Sequence, residues 1–310
     1  MTVRERMHMR KIVLVVTSSV DETSNYIIKK YKNISFFRFN VDNIEKYDFE
    51  VTERGWKILI DNNVCTNKDI YSIYYRKPIL PKIEGYSSEY ICVAQKDIIT
   101  FINGLVDSFE GVVLSKPYLL RKTENKVFQL LIAKKFGFYL PKSCITNNIY
   151  SLDEFFHSKS IIKPVTIGKV SLADKCNLHN TAMLKKFSSN ICVTPVYVQK
   201  YIKKKYEVRI TIVGRKCFAV AIYSANKVDW RIDNYENKYL EIECPDDIKN
   251  KCIDILMRNN LFFGAFDFIV DPLNNWFFLE FNPNGQWLWL EKILGINISE
   301  YIVERLLGSR

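Results

Sequence analysis

The sequence predicts an α/β chain built from several lobes, and three observations carry that prediction. Short β-branched runs alternate with amphipathic segments over the first third of the chain. Further on, "VYVQKYIKKKYEVRITIVGRKCFAVAIYS" reads as several strands joined by a Lys-rich turn and by a hairpin at "VGRK". Near the C-terminus, "GAFDFIVDPLNNWFFLEFNPNG" reads as strand, turn and strand.

Taken in order, "KIVLVV" is a buried parallel strand that ends in the polar run "TSSVDETS". A helix follows through "SNYIIKKY", then a strand at "SFFRFN", and later strands at "WKILI" and "SIYYRKPIL". This alternation makes residues 1–115 a small α/β lobe. In "NKVFQLLIAKKFGFYLP", Leu130, Leu131 and Phe136 are expected on one apolar helix face, with Lys134 and Lys135 toward solvent. Gly137 ends that helix and Pro141 blocks its continuation. "SIIKPV" is a short strand, "DDIKNKCIDILMRNNLF" an amphipathic helix and "ISEYIVERLL" a C-terminal helix.

Composition narrows the function classes. Of 310 residues, 48% are hydrophobic and 25% charged, an ordinary globular balance, and the formal net charge of +11 favours an acidic partner. The 8 cysteines form no Cys-x-x-Cys pair, which argues against structural zinc and a disulfide framework and for a cytoplasmic protein with reduced thiols. His8, His157 and His179 lie at no metal-ligand spacing, so histidine acid/base chemistry is disfavoured. The apolar run after the basic N-terminus is too short for a signal segment. Nothing approaches the roughly 20 apolar residues of a membrane span.

The last hairpin holds the most informative pattern. With its turn centred between Leu273 and Asn274, Asp267 lies opposite Glu280, their Cβ atoms about 5 Å apart. Asn282 shares that face because strand side chains alternate with period two. Two carboxylates so placed repel, and apolar flanks worsen the repulsion. A divalent cation removes the conflict, and an all-oxygen set suits Mg²⁺, which commonly bridges to phosphate oxygens. The competing reading is a solvated polar face of an edge hairpin.

If the metal carries ATP, the phosphates need cations. Lys163 ends an apolar strand in "IIKP" and Lys126 opens a helix in "ENKVFQ"; either could instead be a surface lysine. Arg209 occupies a strand interior, and Glu207 faces the same way two positions earlier. The pair reads either as an ion pair on a sheet face or as a ribose acceptor beside a phosphate clamp.

In order, "KTENKVFQLLIAKKFGFYLPKS", "IIKP", "VYVQKYIKKKYEVRITIVG" and "GAFDF…FLEFNPNGQW" resemble the ATP-grasp ligase superfamily. The N-terminal segment, "IYYRKP" and "NPNGQWLWLE" are more narrowly similar to the ATP-grasp ribosomal peptide maturases, the graspetide (microviridin-type) macrocyclases. The resemblance implies an ATP-grasp fold with a small N-terminal α/β lobe (1–115), a central lobe (116–196) and a C-terminal lobe (197–310), ATP lying between two antiparallel sheets. It implies Mg²⁺ ligands at Asp267, Glu280 and Asn282. Lys126 and Lys163 would meet the phosphates or the adenine N7 edge. The hinge of Gln199, Lys200, Tyr201 and Ile202 would read adenine through its backbone. Glu207 would hold the ribose, Arg209 the transferring phosphate, and Arg231 in "VDWRID" the acyl phosphate or substrate. One departure is the loop after Lys163, which usually carries several glycines; here only Gly168 is present, with Thr166 and Lys169 as further contacts.

The implied activity is ATP- and Mg²⁺-dependent ligation. Asp or Glu side chains of an acidic ribosomal precursor peptide, with leader and core, become acyl phosphates. Ser or Thr hydroxyls or Lys amines then capture them. No enzyme nucleophile is needed, in keeping with the lack of a Ser-His or Cys-His arrangement. The "KKK" turn at 203–205 and the Gly168 loop are candidate lids, though a solvated turn also accounts for the lysines. A homodimer follows from the likeness alone. Two alternatives stand beside this reading: an ATP-grasp ligase joining amino acids to a small molecule or protein terminus, and a nucleic-acid-binding protein using its positive charge, which gives no reason for the three oxygen-bearing side chains to converge.

Overall fold

The computed structural model describes residues 12–166, 169–172, 175–178, 181–184, 192–231 and 236–308. The chain divides into two compact units, one of residues up to 120 with 261–263 and 296–310, the other of 121–260 with 264–295.

In the first unit, β1 (Ile12–Thr17) leads into α1 (Glu22–Lys30), where Asp21 caps the helix by accepting from the Ser24 N–H. Then come β2 (Ser35–Asn40), β3 (Asp48–Thr52), β4 (Gly55–Ile60), β5 (Asn63–Thr66), β6 (Ile70–Tyr75), α2 (Ser88–Asp107), β7 (Val112–Leu114) and α3 (Pro117–Thr123). A parallel sheet of order β2-β1-β6-β7 forms the centre, and Leu14, Val16, Phe39, Ile73, Ile102 and Val106 bury its core. "WKILI" does not join that sheet. It is the middle strand of a separate antiparallel β3-β4-β5 meander, because the Thr52-Glu53-Arg54-Gly55 turn folds it back on β3. The strand expected over "SIYYRKPIL" stops at Tyr75, before the Lys77-Pro78 pair, since proline cannot donate to a ladder.

The second unit holds α4 (Lys126–Lys135), β8 (Ser143–Thr146), α5 (Asp153–Phe156), β9 (Ser160–Lys163), β10 (Lys169–Leu172), β11 (Lys175–Leu178), β12 (Ala182–Met183) and β13 (Val196–Lys200). It continues through β14 (Tyr206–Val213), β15 (Lys216–Tyr223), β16 (Lys238–Ile242), α6 (Asp246–Arg258), β17 (Phe263–Val270), β18 (Trp276–Asn282) and α7 (Leu288–Leu294). The C-terminal helix α8 (Ile298–Leu306) returns to β6 and β7 in the first unit. Two sheets dominate the second unit, a four-stranded one of order β12-β9-β13-β8 and a five-stranded one of order β16-β15-β14-β17-β18; β10 and β11 pair as an antiparallel hairpin.

The "VGRK" hairpin is present, with Gly214 at φ +61 in the turn between β14 and β15. The face expected on α4 is not the one buried. Leu131 is 66% exposed, while Gln129 and Ala133 point inward one turn apart, with Leu130 and Phe136 half-buried. A polar residue thus sits at the centre of the inward stripe. Gly168, expected over the phosphates, and His8 and His179 lie outside the described residues, as does the side chain of Lys169. Thr166 is exposed.

Candidate active site

The β17–β18 ladder pairs Asp267 with Glu280, and Ala265 with Asn282, as the turn-centred register requires. Beyond Asp267 the register slips by one residue, so that Phe268 faces Phe278 and Leu279 is the extra residue of a bulge. The bulge leaves the carboxylate pair in register and lets the turn tighten through Asp271, whose side chain accepts from the Leu273 and Asn275 N–H groups at 2.9 and 2.8 Å.

Four cations surround these carboxylates. Arg209, on β14 beside β17, donates from one terminal nitrogen to both Asp267 oxygens at 2.9 and 2.8 Å, and from the other to the Gln286 carbonyl at 3.2 Å. Lys126 Nζ lies 3.9 Å from Glu280 and donates to the Pro164 carbonyl at 3.0 Å. Arg231 reaches Glu280 at 3.5 Å and is steadied by Asp229, which accepts from its Nε and its backbone N–H, each at 3.0 Å. Lys163 is buried at the end of β9, its Nζ 5.3 Å from the centre of the Tyr197 ring. Gln199 points inward from β13, donating to Ser143 at 2.9 Å. Lys126, Gln129, Lys163, Tyr197, Gln199 and Glu280 line one cavity between the two sheets.

Burial and charge drive the two carboxyls apart. Burial raises Asp267, Arg209 offsets the rise only in part, and Glu280 adds to it. Burial also works against the Glu280 carboxylate, but Arg231, Lys126, Lys163 and Arg209 together hold it below its ordinary value. Burial pushes Lys163 down to about 8, with Glu280 opposing and Lys126 assisting. Lys126 is lowered for the same first reason, against the pull of Glu280.

Glu207 and Arg209 do not pair with each other. Arg209 turns to Asp267, and Glu207 pairs with Lys204, both of those side chains being 8% exposed. Burial lifts the Glu207 carboxyl to about 7 despite Lys204. The "KKK" turn is therefore not uniformly solvated: Lys204 is buried in an ion pair, and Lys205 donates to Asn274 at 2.9 Å. In the 199–202 segment, the N–H groups of Lys200 and Tyr201 are engaged by the Lys142 and Lys159 carbonyls at 2.8 and 2.9 Å. Asn282 shares the Glu280 side of β18, and its side-chain oxygen accepts the Asn284 N–H at 3.0 Å, shaping the Pro-Asn-Gly turn.

Three contributors escaped the sequence reading: Asp229, Lys204 and Gln129. The first two stand only two or three residues from Arg231 and Glu207, a local spacing that could have revealed them. Gln129 had no such signal.

The donor set bears on whether the site can hold a metal ion. Among the described residues no group of three or more His, Cys, Asp or Glu side chains is placed to hold one. Two facing carboxylates with an amide oxygen nearby supply hard oxygen donors of the kind Mg²⁺ takes when phosphate and water complete its shell. The residues fit that ion better than zinc or a soft metal.

A scan against protein-family models gives no match, and a search of the curated proteins gives none. Solved structures match along nearly the whole chain. A RiPP-associated ATP-grasp ligase from Chryseobacterium gregarium, solved with ADP and a leader and core peptide, has a TM-score of 0.86 at 28% identity, over 97% of this chain and 97% of its own. The macrocyclase MdnC from Microcystis aeruginosa, solved with precursor peptide MdnA, has a TM-score of 0.85 at 24% identity, over 96% and 99%. D-alanyl-alanine synthetase A from Vibrio cholerae, at 12% identity and a TM-score of 0.59 over 97% and 98%, has the same general fold. By its fold and by likeness along almost its entire length, the chain is an ATP-grasp ligase similar to the RiPP-associated members of that superfamily.

Proposed function

We propose that this chain activates Asp or Glu side chains of a ribosomal precursor peptide with ATP and links them to Ser or Thr hydroxyls or Lys amines. The observation that carries the proposal is the Asp267–Glu280 pair, ringed by Lys126, Lys163, Arg209 and Arg231 beside a cavity between two sheets. Four fixed positive groups around two carboxylates suit a polyanion bound through a divalent cation. The solved likeness at 28% identity, held with ADP and a leader and core peptide, supports the same substrate class.

In this reading the chain works as three lobes, 1–115, 116–196 and 197–310, the last two contributing the sheets. Glu207 holds the ribose hydroxyls. Adenine is read by the 199–202 segment, through its carbonyls and Ile202, since the Lys200 and Tyr201 N–H groups are engaged. Lys126 and Lys163 meet the phosphates, and Arg209 the phosphoryl group in transfer. Asp267, Glu280 and Asn282 would hold Mg²⁺, which when bound offsets negative charge on the phosphate oxygens.

The peptide carboxylate displaces ADP from the γ-phosphorus and forms an acyl phosphate. A hydroxyl or amine then displaces phosphate, leaving an ester or amide. Arg231, held by Asp229 and exposed along its side chain, binds the carboxylate before transfer and the acyl phosphate afterwards. Water must stay out of the site, because it would hydrolyse the intermediate.

A basic chain of net charge +11 favours an acidic core peptide. Among the described residues no helix is long and apolar enough to cross a membrane. Action in the cytoplasm, as a homodimer, completes the proposal. The test is mass spectrometry of a precursor peptide encoded beside this gene, incubated with enzyme, ATP and Mg²⁺. Loss of one water per linkage supports the proposal; ADP release with an unchanged peptide mass contradicts the assigned substrate class.

A further inference from the structure

Gln129 is 4% exposed, and its side chain makes three hydrogen bonds. Its Oε1 accepts the Phe281 N–H at 3.1 Å, and its Nε2 donates to the Phe281 carbonyl at 2.6 Å and to the Thr123 carbonyl at 2.8 Å. One side-chain amide therefore satisfies both main-chain groups of a single residue. This is the pattern a neighbouring strand would offer, and β18 is the edge strand of its sheet. Phe281 lies between Glu280 and Asn282 and stacks on Phe266 of β17, ring centres 5.0 Å apart.

The geometry has a consequence for the carboxylate pair. Because Phe281 turns its N–H and carbonyl away from β17, ladder bonding to β17 falls on its two neighbours. Those neighbours, Glu280 and Asn282, are the two oxygen donors that β18 supplies. The helix repeats the arrangement: Lys126 and Gln129, three residues apart on α4, share a face. Lys126 meets the Glu280 side chain and Gln129 the main chain one residue on. Asn125 anchors the first turn of α4 by accepting from Val127 and Phe128 at 2.9 and 3.1 Å, which places Gln129 one turn into a fixed helix.

We propose that Gln129 is a positioning residue. By clamping both main-chain groups of Phe281, it sets the pitch of β18 so that Glu280 and Asn282 present their oxygens together to Mg²⁺. The proposal rests on the metal reading above and adds a residue that acts through the β18 main chain, all three of its side-chain hydrogen bonds going to backbone groups.

The test is ADP binding by the full chain, measured by titration calorimetry with EDTA and then across a Mg²⁺ series. Gln129→Met keeps the volume and removes all three hydrogen bonds. Loss of an orienting contact behind a metal ligand commonly costs about 10- to 100-fold in metal affinity. Gln129→Met is therefore expected to raise the Mg²⁺ concentration that half-maximally tightens ADP binding by about 10-fold, with metal-free ADP affinity within about twofold of wild type. Gln129→Glu keeps the acceptor for the Phe281 N–H but loses the donors, and falls between the two. Should Gln129→Met fail to fold, Gln129→Glu decides the question by the same readout.

A Mg²⁺ requirement unchanged in the folded variants, with only thermal stability lowered, would make Gln129 a packing residue and overturn the proposal. Glu280→Gln, run alongside, separates the two levels. If it raises the Mg²⁺ requirement and the Gln129 variants do not, only the positioning role fails. If neither changes it, the metal reading fails and takes the positioning role with it.

Discussion

Arg209 grips both oxygens of Asp267 from a single guanidinium nitrogen, at 2.9 and 2.8 Å, with both side chains almost wholly buried. Each partner has a second task in the proposed reaction, Arg209 toward phosphate and Asp267 toward metal. The pair fixes two opposite charges side by side in the site.

Breaking that pair on one side strands a buried charge. Arg209→Met should therefore cost about 3 kcal/mol of stability or more, in the range seen when one member of a buried ion pair is removed. Arg209→Met with Asp267→Leu should recover most of that loss. Both variants should be inactive. Urea denaturation with parallel turnover assays measures the two effects. Equal instability of the single and double variants would mean the two side chains are not energetically linked.

Lys163 sets a pH dependence. Its ammonium is lowered to about 8 from an ordinary 10.5, first by burial, so the ligand-free protein loses this cation as pH rises through 8. A bound triphosphate favours the charged lysine and restores its proton. Nucleotide affinity should therefore fall above pH 8, and binding at pH 9 should take up protons that binding at pH 7 does not. Calorimetry in two buffers of different ionisation enthalpy reads this directly. Lys163→Met should bind more weakly at pH 7 and lose the extra proton uptake; uptake that persists in the variant assigns it to another group.

Gly285 is required by the closeness of its neighbours. A Cβ there would lie 2.6 Å from Ala265 Cβ and 2.8 Å from Arg209 Nη2. Gly285→Ala should displace the guanidinium and the β17 backbone by about 1 Å, the relief that such close contacts need. Displacements on that scale cost up to about 100-fold in turnover. Steady-state assays should show the fall in kcat while far-UV circular dichroism stays native. Wild-type kcat would mean the Arg209 position is not critical.

The parts of this fold that were legible in the sequence are those where local pattern and environment agree. Asp267 and Glu280 could be paired by counting from a turn centred between Leu273 and Asn274, a count that matches the register on the far side of the bulge. The bulge at Leu279 could not, since two backbone lengths are reconciled there and no side chain announces it. "WKILI" reads as a strand in any sheet, and only the turn before it decides which sheet. Glu207 and Arg209 share a face as alternation demands, yet each takes a different partner, because Lys204 and Asp267 arrive from the turn and from the next strand. Gln129 was hidden for a plain reason. Apolar periodicity seeks hydrophobic residues on a buried face, and here the buried position serves a strand edge that only the folded chain brings to it.

The central claim is that Asp267, Glu280 and Asn282 face a metal ion carrying the triphosphate. Anomalous diffraction from a crystal grown with Mn²⁺ and a non-hydrolysable ATP analogue tests it most directly. The account predicts a manganese peak at about 2.1 Å from oxygens of Asp267 and Glu280 and bridged to the nucleotide phosphates. A peak bound elsewhere, with the Arg209–Asp267 pair intact and Glu280 still held by Lys126 and Arg231, would contradict it.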